Sequence, residues 1–222
     1  MKARTLFGAL VSVTAGLLAF AIPQQAGAQT ITSNQTGSQG GFYYSFWRST
    51  NSGSLSMTLG SGGNYSVSWS NFSGDFTCGK GWNPGGRRTV GYNCGAYSNS
   101  GGGSLAVYGW TTSPLIEYYI VEMWGSSAPS GTYVGTVTSD GATYNIYKHQ
   151  QVNQPSIQGT ATFWQYFSTR QSKNSQGQNR SVTTGNHFNA WASHGMNLGS
   201  FNYMILLTEG WNGSGYVNAT VW

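Results

Sequence analysis

Charged side chains are scarce in this sequence, and acidic ones most of all. Its 222 residues include five aspartates and glutamates against ten lysines and arginines. Charged residues make up 7% of the chain, whereas roughly 25% is usual for soluble domains. Beyond the N-terminus the longest basic run is the pair Arg87-Arg88, so the sequence predicts no nucleic-acid partner, because phosphate binding needs concentrated positive charge. The aromatic content of 15% instead suits a neutral, hydroxyl-rich ligand such as a sugar.

Long apolar runs are missing except at the N-terminus, where residues 6–22 follow a basic start and precede Ala26-Gly27-Ala28. This order predicts a secretory signal peptide over residues 1–28. A membrane anchor is the alternative, but polar residues interrupt the run and Pro23 ends it. We therefore expect a secreted, extracellular protein with one domain over residues 29–222 and no membrane contact after cleavage.

Cysteine is nearly absent, since Cys78 and Cys94 are the only two. In an exported chain an even pair is by default a disulfide, and we expect one between these residues. Two thiols cannot complete a tetrahedral zinc site, and the three histidines show no ligand spacing with them. The sequence predicts neither a metal nor a cofactor.

Short alternating segments separated by glycine, serine and asparagine fill the rest of the chain. This pattern predicts an antiparallel all-β domain of two packed sheets. The expected strands are residues 54–59, 65–70, 75–82, 89–97, 103–111, 114–124, 133–138, 142–147, 158–170, 200–209 and 215–222. One stretch, 186–195, has helical spacing instead, with Thr184 as a possible cap and Gly195 as a possible end.

Two glutamates, Glu117 and Glu209, lie inside apolar, aromatic runs. Burying an ionised carboxylate costs on the order of several kcal/mol unless it is paired or protonated. Strand periodicity places Glu117 on one face with Tyr119, and Glu209 on one face with Tyr203. If the two glutamates line one cleft on neighbouring strands, they form the acid and carboxylate pair that glycoside hydrolysis needs.

The alternative for each glutamate is a strand end where it pairs with a lysine or arginine, but basic residues are few. Glu122 is out of phase with Glu117 and faces the other way, so it is interpreted as structural, and Asp140 belongs to a hairpin turn. Two other functions remain open. A noncatalytic carbohydrate-binding β-sandwich would share the aromatic residues and the low charge, whereas a polysaccharide lyase would call for a cation or metal to neutralise uronic acids.

Residues 114–122 and 207–211 closely resemble the two signatures of family 11 glycoside hydrolases, the compact endo-β-1,4-xylanases. Further segments that match the family, in order, are 62–67, 79–82, 108–110, 154–157, 186–191 and 221–222. The resemblance implies a β-jelly roll of two curved antiparallel sheets that form a cleft, with one short α-helix. It also implies a single catalytic domain over 29–222 that acts on xylan and xylo-oligosaccharides as a monomer, without a cofactor.

By this resemblance Glu117 is the nucleophile and Glu209 the acid/base of a retaining mechanism with a covalent glycosyl intermediate. Their carboxyl groups are then expected roughly 5–5.5 Å apart, with the pKa of Glu209 raised. Asp75 matches a position beside the acid/base, where an aspartate is associated with an acidic pH optimum through coupled titration.

Further residues match substrate contacts of the family. Trp47 corresponds to the tryptophan that stacks on a xylose ring, and the segment with Pro155 and Ser156 to a thumb over the cleft. Other matching cleft residues are Tyr108, Tyr119, Gln165 and Tyr203. Gln151 departs from the pattern because the family usually has arginine there, and losing that cation should raise the pKa of Glu117 or weaken substrate contacts.

Overall fold

The computed structural model describes residues 28–222, so the predicted signal peptide lies outside the described residues except for Ala28 and stays a prediction. The described chain forms thirteen strands in one hydrogen-bonded sheet. The elements are β1 (Gln29–Ile31), β2 (Gln35–Gln39), β3 (Phe42–Arg48), β4 (Ser54–Leu59), β5 (Asn64–Trp82), β6 (Thr89–Asn99), β7 (Ser104–Thr112), β8 (Ile116–Trp124), β9 (Thr132–Ser139), β10 (Ala142–Ser156), β11 (Gly159–Arg170), β12 (Asn179–Thr183), α1 (Thr184–Ser193) and β13 (Ser200–Val221).

Two long strands, β5 and β13, run through both layers of a jelly roll. We call the layer that contains β3, β7 and β8 the front half, and the layer that contains β4 and β6 the rear half. Strands β5 and β13 pair antiparallel along most of their lengths, with register shifts around Gly213. Residues Asn71, Asn212 and Gly213 have positive φ values of 47°, 54° and 101°, which bends the paired strands at this level. Each was expected as two separate strands. The predicted jelly roll is therefore confirmed, but its two layers are parts of one sheet that folds over on itself.

The interior between the two layers is one apolar cluster. It includes Tyr65 and Val67 from the rear half, Tyr118 from the front half and Trp191 from the helix, all at most 2% exposed. The opposite face of the front half carries a second cluster that contains Tyr108, Trp110, Tyr119 and Phe163. Alternate residues of β8 thus pack in the two clusters, with Tyr118 and Ile120 in the first and Tyr119 and Val121 in the second, as its periodicity predicts.

The short helix predicted near residues 186–195 is confirmed as α1. Its N-cap is Thr183, without a side-chain cap bond, and Thr184 is the first helical residue. Gly195, with φ of +73°, ends the helix as expected, because its N–H and that of Met196 bond back to the carbonyls of Ala192 and Trp191. Helix α1 is too short and too polar to cross a membrane, and it is the only helix among residues 28–222.

The disulfide prediction is wrong, because Cys78 and Cys94 are free, buried thiols. Cys78 on β5 lies opposite Thr208, and Cys94 on β6 lies opposite Ala219, farther along β13. The two cysteines thus lie opposite different parts of β13, although both belong to the same buried cluster. Burial raises the pKa of both thiols, that of Cys94 to about 12, so both are unreactive at neutral pH.

The remaining acidic residues have the structural places expected of them. Glu122 points into the interior, where it accepts hydrogen bonds from the hydroxyls of Tyr92 (2.8 Å) and Tyr144 (2.6 Å). Arg170 lies 3.6 Å from the same carboxylate. Asp140, with φ of 50°, occupies the turn between β9 and β10.

Candidate active site

A cleft of about 900 Å³ opens on the outer face of the front half. It lies above the second apolar cluster and beneath the tip of the β10–β11 hairpin. Every predicted site residue other than the two cysteines lines it, namely Trp47, Asp75, Tyr108, Glu117, Tyr119, Gln151, Pro155, Ser156, Gln165, Tyr203 and Glu209. The structure thus brings together residues from β3, β5, β7, β8, β10, β11 and β13.

The sequence suggested that the two glutamates lie on neighbouring strands. They do not, because β7 lies between β8 and β13. They meet across it through one hydroxyl. Tyr119 Oη lies 3.0 Å from Glu117 Oε1 and 3.4 Å from Glu209 Oε1. The two carboxylate oxygens therefore lie no farther apart than two hydrogen bonds can reach.

Glu117 is buried, with 7% of its surface exposed, and is held by three donors. The hydroxyls of Tyr108 and Tyr119 donate to Oε1 at 2.7 Å and 3.0 Å, and Gln165 Nε2 donates to Oε2 at 2.6 Å. Burial raises the pKa of Glu117 above its ordinary value, and these hydrogen bonds oppose the shift because they favour the ionised form.

Glu209 is equally buried but has fewer donors. Ser104 Oγ donates to Oε2 at 3.1 Å, and Tyr119 is the other neighbour. Burial raises the pKa of Glu209 well above its usual range, and the charges of Asp75 and Glu117 raise it further. Of the two glutamates, Glu209 is therefore the one that keeps its proton more readily, and Glu117 is the better placed to carry a charge.

Asp75 lies on β5 opposite Trp211, two residues beyond Glu209 on β13. Burial raises the pKa of Asp75 to about 7, with a further contribution from the charge of Glu117. Its Oδ1 is buried without a hydrogen-bond partner among residues 28–222. Within these residues, Asp75 influences Glu209 through charge.

Gln151 approaches the nucleophile position only through a second amide. Its Nε2 donates to Gln165 Oε1 at 3.1 Å, while Gln165 Nε2 donates to Glu117 at 2.6 Å. The first bond fixes the orientation of the Gln165 amide, so that its N–H group faces the carboxylate. An uncharged chain of two amides therefore occupies the place where the resemblance implies a cation.

Two aromatic residues that line the cleft, Trp47 and Tyr203, lie on β3 and β13. Trp47 on β3 lies opposite Thr77 on β5, which in turn lies opposite Glu209, so all three share one row across the sheet. The Tyr203 ring is 5.5 Å from that of Tyr43, with the two planes tilted by 36°. These rings offer flat apolar surfaces on which the C–H faces of sugars can pack.

The predicted thumb is the tip of the hairpin between β10 and β11. Pro155 lies opposite Thr160 there. The hydroxyl of Ser156 donates to the carbonyl of Gly159 at 2.6 Å and accepts from the N–H of Gln158 at 3.0 Å. These bonds close the turn and hold Pro155 and Ser156 on the cleft side.

Sequence reasoning missed several residues of the site, three of which are Ser104, Trp110 and Trp211. Ser104 hydrogen-bonds Glu209, Trp110 Nε1 donates to the hydroxyl of Tyr108 at 2.6 Å, and Trp211 lines the cleft. Because Trp110 donates to the oxygen of the Tyr108 hydroxyl, the proton of that hydroxyl is free to bond to Glu117. Period-two spacing from Tyr108 and from Glu209 was the signal that could have identified them.

The arrangement suits acid and nucleophile chemistry at an acetal. A carboxylate held by three donors and a carboxylic acid of raised pKa face each other across one hydroxyl. Within residues 28–222, no group of three or more histidine, cysteine, aspartate or glutamate side chains is placed to hold a metal ion.

Comparison with known proteins identifies the family. The model of glycosyl hydrolases family 11 matches residues 39–220. An ethylene-inducing xylanase from Penicillium digitatum is 54% identical, over 95% of this chain and 96% of its own length. Endo-1,4-beta-xylanase 2 from Rhizopus oryzae is 52% identical over the same shares. Endo-1,4-beta-xylanase B from Penicillium oxalicum is 53% identical, over 92% of this chain and 67% of its own length. The chain therefore belongs to family 11 of the glycosyl hydrolases.

Proposed function

We propose that this protein is a retaining endo-β-1,4-xylanase. The observation that carries the proposal is the Tyr119 hydroxyl, which lies within hydrogen-bonding distance of both Glu117 and Glu209. Retaining glycosidases place their carboxyl groups roughly 5–5.5 Å apart, whereas inverting enzymes need roughly 6.5–9.5 Å to fit a water. Two carboxylates that share one hydroxyl neighbour favour the shorter separation.

In the first step, ionised Glu117 attacks the anomeric carbon with an oxygen lone pair. The bond to the leaving sugar breaks as Glu209 transfers its proton to the departing oxygen. In the second step, Glu209, now ionised, takes a proton from water, and the resulting oxygen displaces Glu117 from the sugar. The raised pKa of Glu209 and the three donors to Glu117 support these roles.

The substrate is xylan, with xylo-oligosaccharides as shorter substrates and products. The relatives named as endo-1,4-beta-xylanases support this choice. In the cleft, Trp47 stacks on one sugar, the thumb residues Pro155 and Ser156 cover it, and Tyr203 hydrogen-bonds a hydroxyl. The enzyme acts outside the cell as a monomer, without a cofactor.

The test is product analysis on unsubstituted xylan. Wild-type protein is expected to cleave the polymer at internal bonds and to release oligosaccharides. Proton NMR should show that their new reducing ends first have the β configuration. Glu117→Gln and Glu209→Gln should each reduce turnover by roughly 10²–10⁴-fold. Matching melting temperatures of the variants show that folding is intact. Xylan binding with no hydrolysis by the wild type would instead establish the noncatalytic carbohydrate-binding alternative.

A further inference from the structure

A second pocket, of about 390 Å³, is lined by Tyr43, whose ring contacts that of the cleft residue Tyr203. Ser38, Tyr43 and Gly81 form one row across β2, β3 and β5 on its floor. Tyr43 shares its face of β3 with Ser45, which lines the cleft. The Tyr43 and Tyr203 rings, 5.5 Å apart, separate the two spaces. A branch of a chain seated in the cleft can therefore reach this pocket.

Arg88 is the only charged residue that lines this second pocket. Its guanidinium stacks over the Trp82 ring at 4.2 Å from the centroid. The backbone of Arg88 is anchored to the helix, because its N–H donates to Thr184 Oγ1 at 2.9 Å and its carbonyl accepts from the Thr184 N–H at 3.0 Å. Stacking and anchoring together preorganise the cation.

No carboxylate of the described chain neutralises Arg88. The one ion pair among residues 28–222 joins Arg170 to Glu122. Arg88 Nε is buried and has no hydrogen-bond partner in the same part of the chain, and partial burial lowers the pKa of this side chain. An unpaired, partly desolvated cation is costly, so a ligand that supplies an anionic acceptor gains binding energy there.

We infer that this pocket binds the carboxylate of a uronic acid carried as a branch on xylan, with Arg88 as the residue that determines this specificity. The inference rests on the proposed function, since the xylan backbone in the cleft positions the branch. The planar guanidinium presents paired N–H donors that match a carboxylate. The volume falls within the range of small-molecule sites, roughly 300–1,000 Å³, and the Tyr43 and Trp82 rings supply apolar walls for a sugar.

The experiment compares glucuronoxylan with the same polymer after chemical reduction of its carboxyl groups to alcohols. The readout is the ratio of kcat/KM on the acidic polymer to kcat/KM on the reduced one. Wild-type protein is expected to favour the acidic polymer, and Arg88→Gln to lower the ratio by about tenfold. Arg88→Lys keeps the charge but loses the paired N–H donors and the stacking on Trp82. Its ratio should therefore lie between that of the wild type and that of Arg88→Gln.

The matched control is Arg87→Gln, which removes the same charge one position away. Arg87 lies outside the pocket, where it donates to the Gly185 carbonyl at 3.2 Å and approaches the Phe188 ring at 5.9 Å. This variant should leave the ratio unchanged. A ratio that Arg88→Gln does not alter, or that Arg87→Gln lowers as much, overturns the inference.

Hydrolysis of unsubstituted xylan by the wild type separates this inference from the proposed function. If the wild type cleaves that polymer but Arg88→Gln does not change the kcat/KM ratio, only the inference about the second pocket is overturned. An absence of cleavage overturns the proposed function, and calorimetry then decides the pocket independently. A xylo-oligosaccharide with one glucuronosyl branch should bind the wild type more tightly than its carboxyl-reduced form does, and this difference should vanish in Arg88→Gln.

Discussion

At the scale of single residues, hydrogen-bond donors distinguish the two glutamates of the cleft. Both are buried to the same degree, so burial alone would raise their pKa values alike. Three donors reach Glu117, and one of them is the Tyr119 hydroxyl, whose single proton cannot serve Glu209 at the same time. Glu209 then has Ser104 as its donor and also faces Asp75. The difference between their pKa values therefore follows from neighbours on β5, β7 and β11 rather than from the glutamates themselves.

Asp75 is expected to set the alkaline limb of the pH profile. Its pKa of about 7 keeps it neutral in acidic solution, and once ionised its charge holds the proton of Glu209 more tightly. Activity of the wild type should therefore fall as the pH rises through about 7. Asp75→Asn removes this ionisation and also the charge that raises the pKa of Glu209, so the alkaline limb of kcat/KM against pH should leave its position at about 7 and follow the pKa of Glu209 alone. An unmoved profile would remove Asp75 from the mechanism.

Gln151→Arg is expected to raise kcat/KM on xylan by a few fold. An arginine would bring a cation close to the Gln165 amide, and this would lower the pKa of Glu117 and favour its ionised form. Steady-state kinetics separate the two possible gains, since a lower pKa of Glu117 acts on kcat and a new sugar contact acts on KM. Unchanged or poorer kinetics would contradict this account of Gln151.

At the scale of elements, the sequence predicted what periodicity determines and missed what long-range pairing determines. Alternation placed Glu117 and Tyr119 on one face of β8, and helical spacing identified α1. Strand β2, with the sequence Gln-Thr-Gly-Ser-Gln, has the composition of a loop and becomes a strand because β3 pairs with it. Period-two spacing puts Ser104 on the face of Tyr108, but its hydrogen bond to Glu209 depends on the pairing of β7 with β13, which no local pattern predicts.

Helix α1 contains a histidine that should weaken the fold in acid. His187 is 0% exposed, lies 4.7 Å from the Tyr144 ring, and neither ring nitrogen has a hydrogen-bond partner among residues 28–222. Burial lowers the pKa of His187 to about 4, although the charge of Asp140 opposes the shift. Because the unfolded chain takes up this proton first, native stability is lost as the pH falls from about 6.5 towards 4.

His187→Phe is expected to remove this loss, which amounts to roughly 3 kcal/mol at the acidic end. The measurement is the free energy of unfolding in urea at a series of pH values, compared with the wild type. His194→Gln is the matched control, because His194 is exposed just after the same helix. Equal pH dependence in the wild type and His187→Phe would show that the native state accommodates the proton.

At the scale of the whole molecule, the fold is held by packing and strand pairing without a covalent cross-link. Cys78 and Cys94 are both free. A reducing agent should therefore leave the melting temperature unchanged, and a thiol assay should find both groups after denaturation and neither before it. A lower melting temperature under reducing conditions would indicate a disulfide after all.

The position of β13 has a consequence for how activity arises. It comes after every other described strand in chain order, yet it inserts between β5 and β7 and also pairs with β6. Its partners are distant in sequence, and such non-local pairings are expected to form late in folding. Strand β8, which carries Glu117, precedes β13 in the chain, whereas Glu209 lies on β13 itself and joins the cleft when that strand inserts. A chain still emerging during synthesis thus lacks one of the two carboxyl groups of the proposed mechanism, and we expect it to be inactive until β13 is in place.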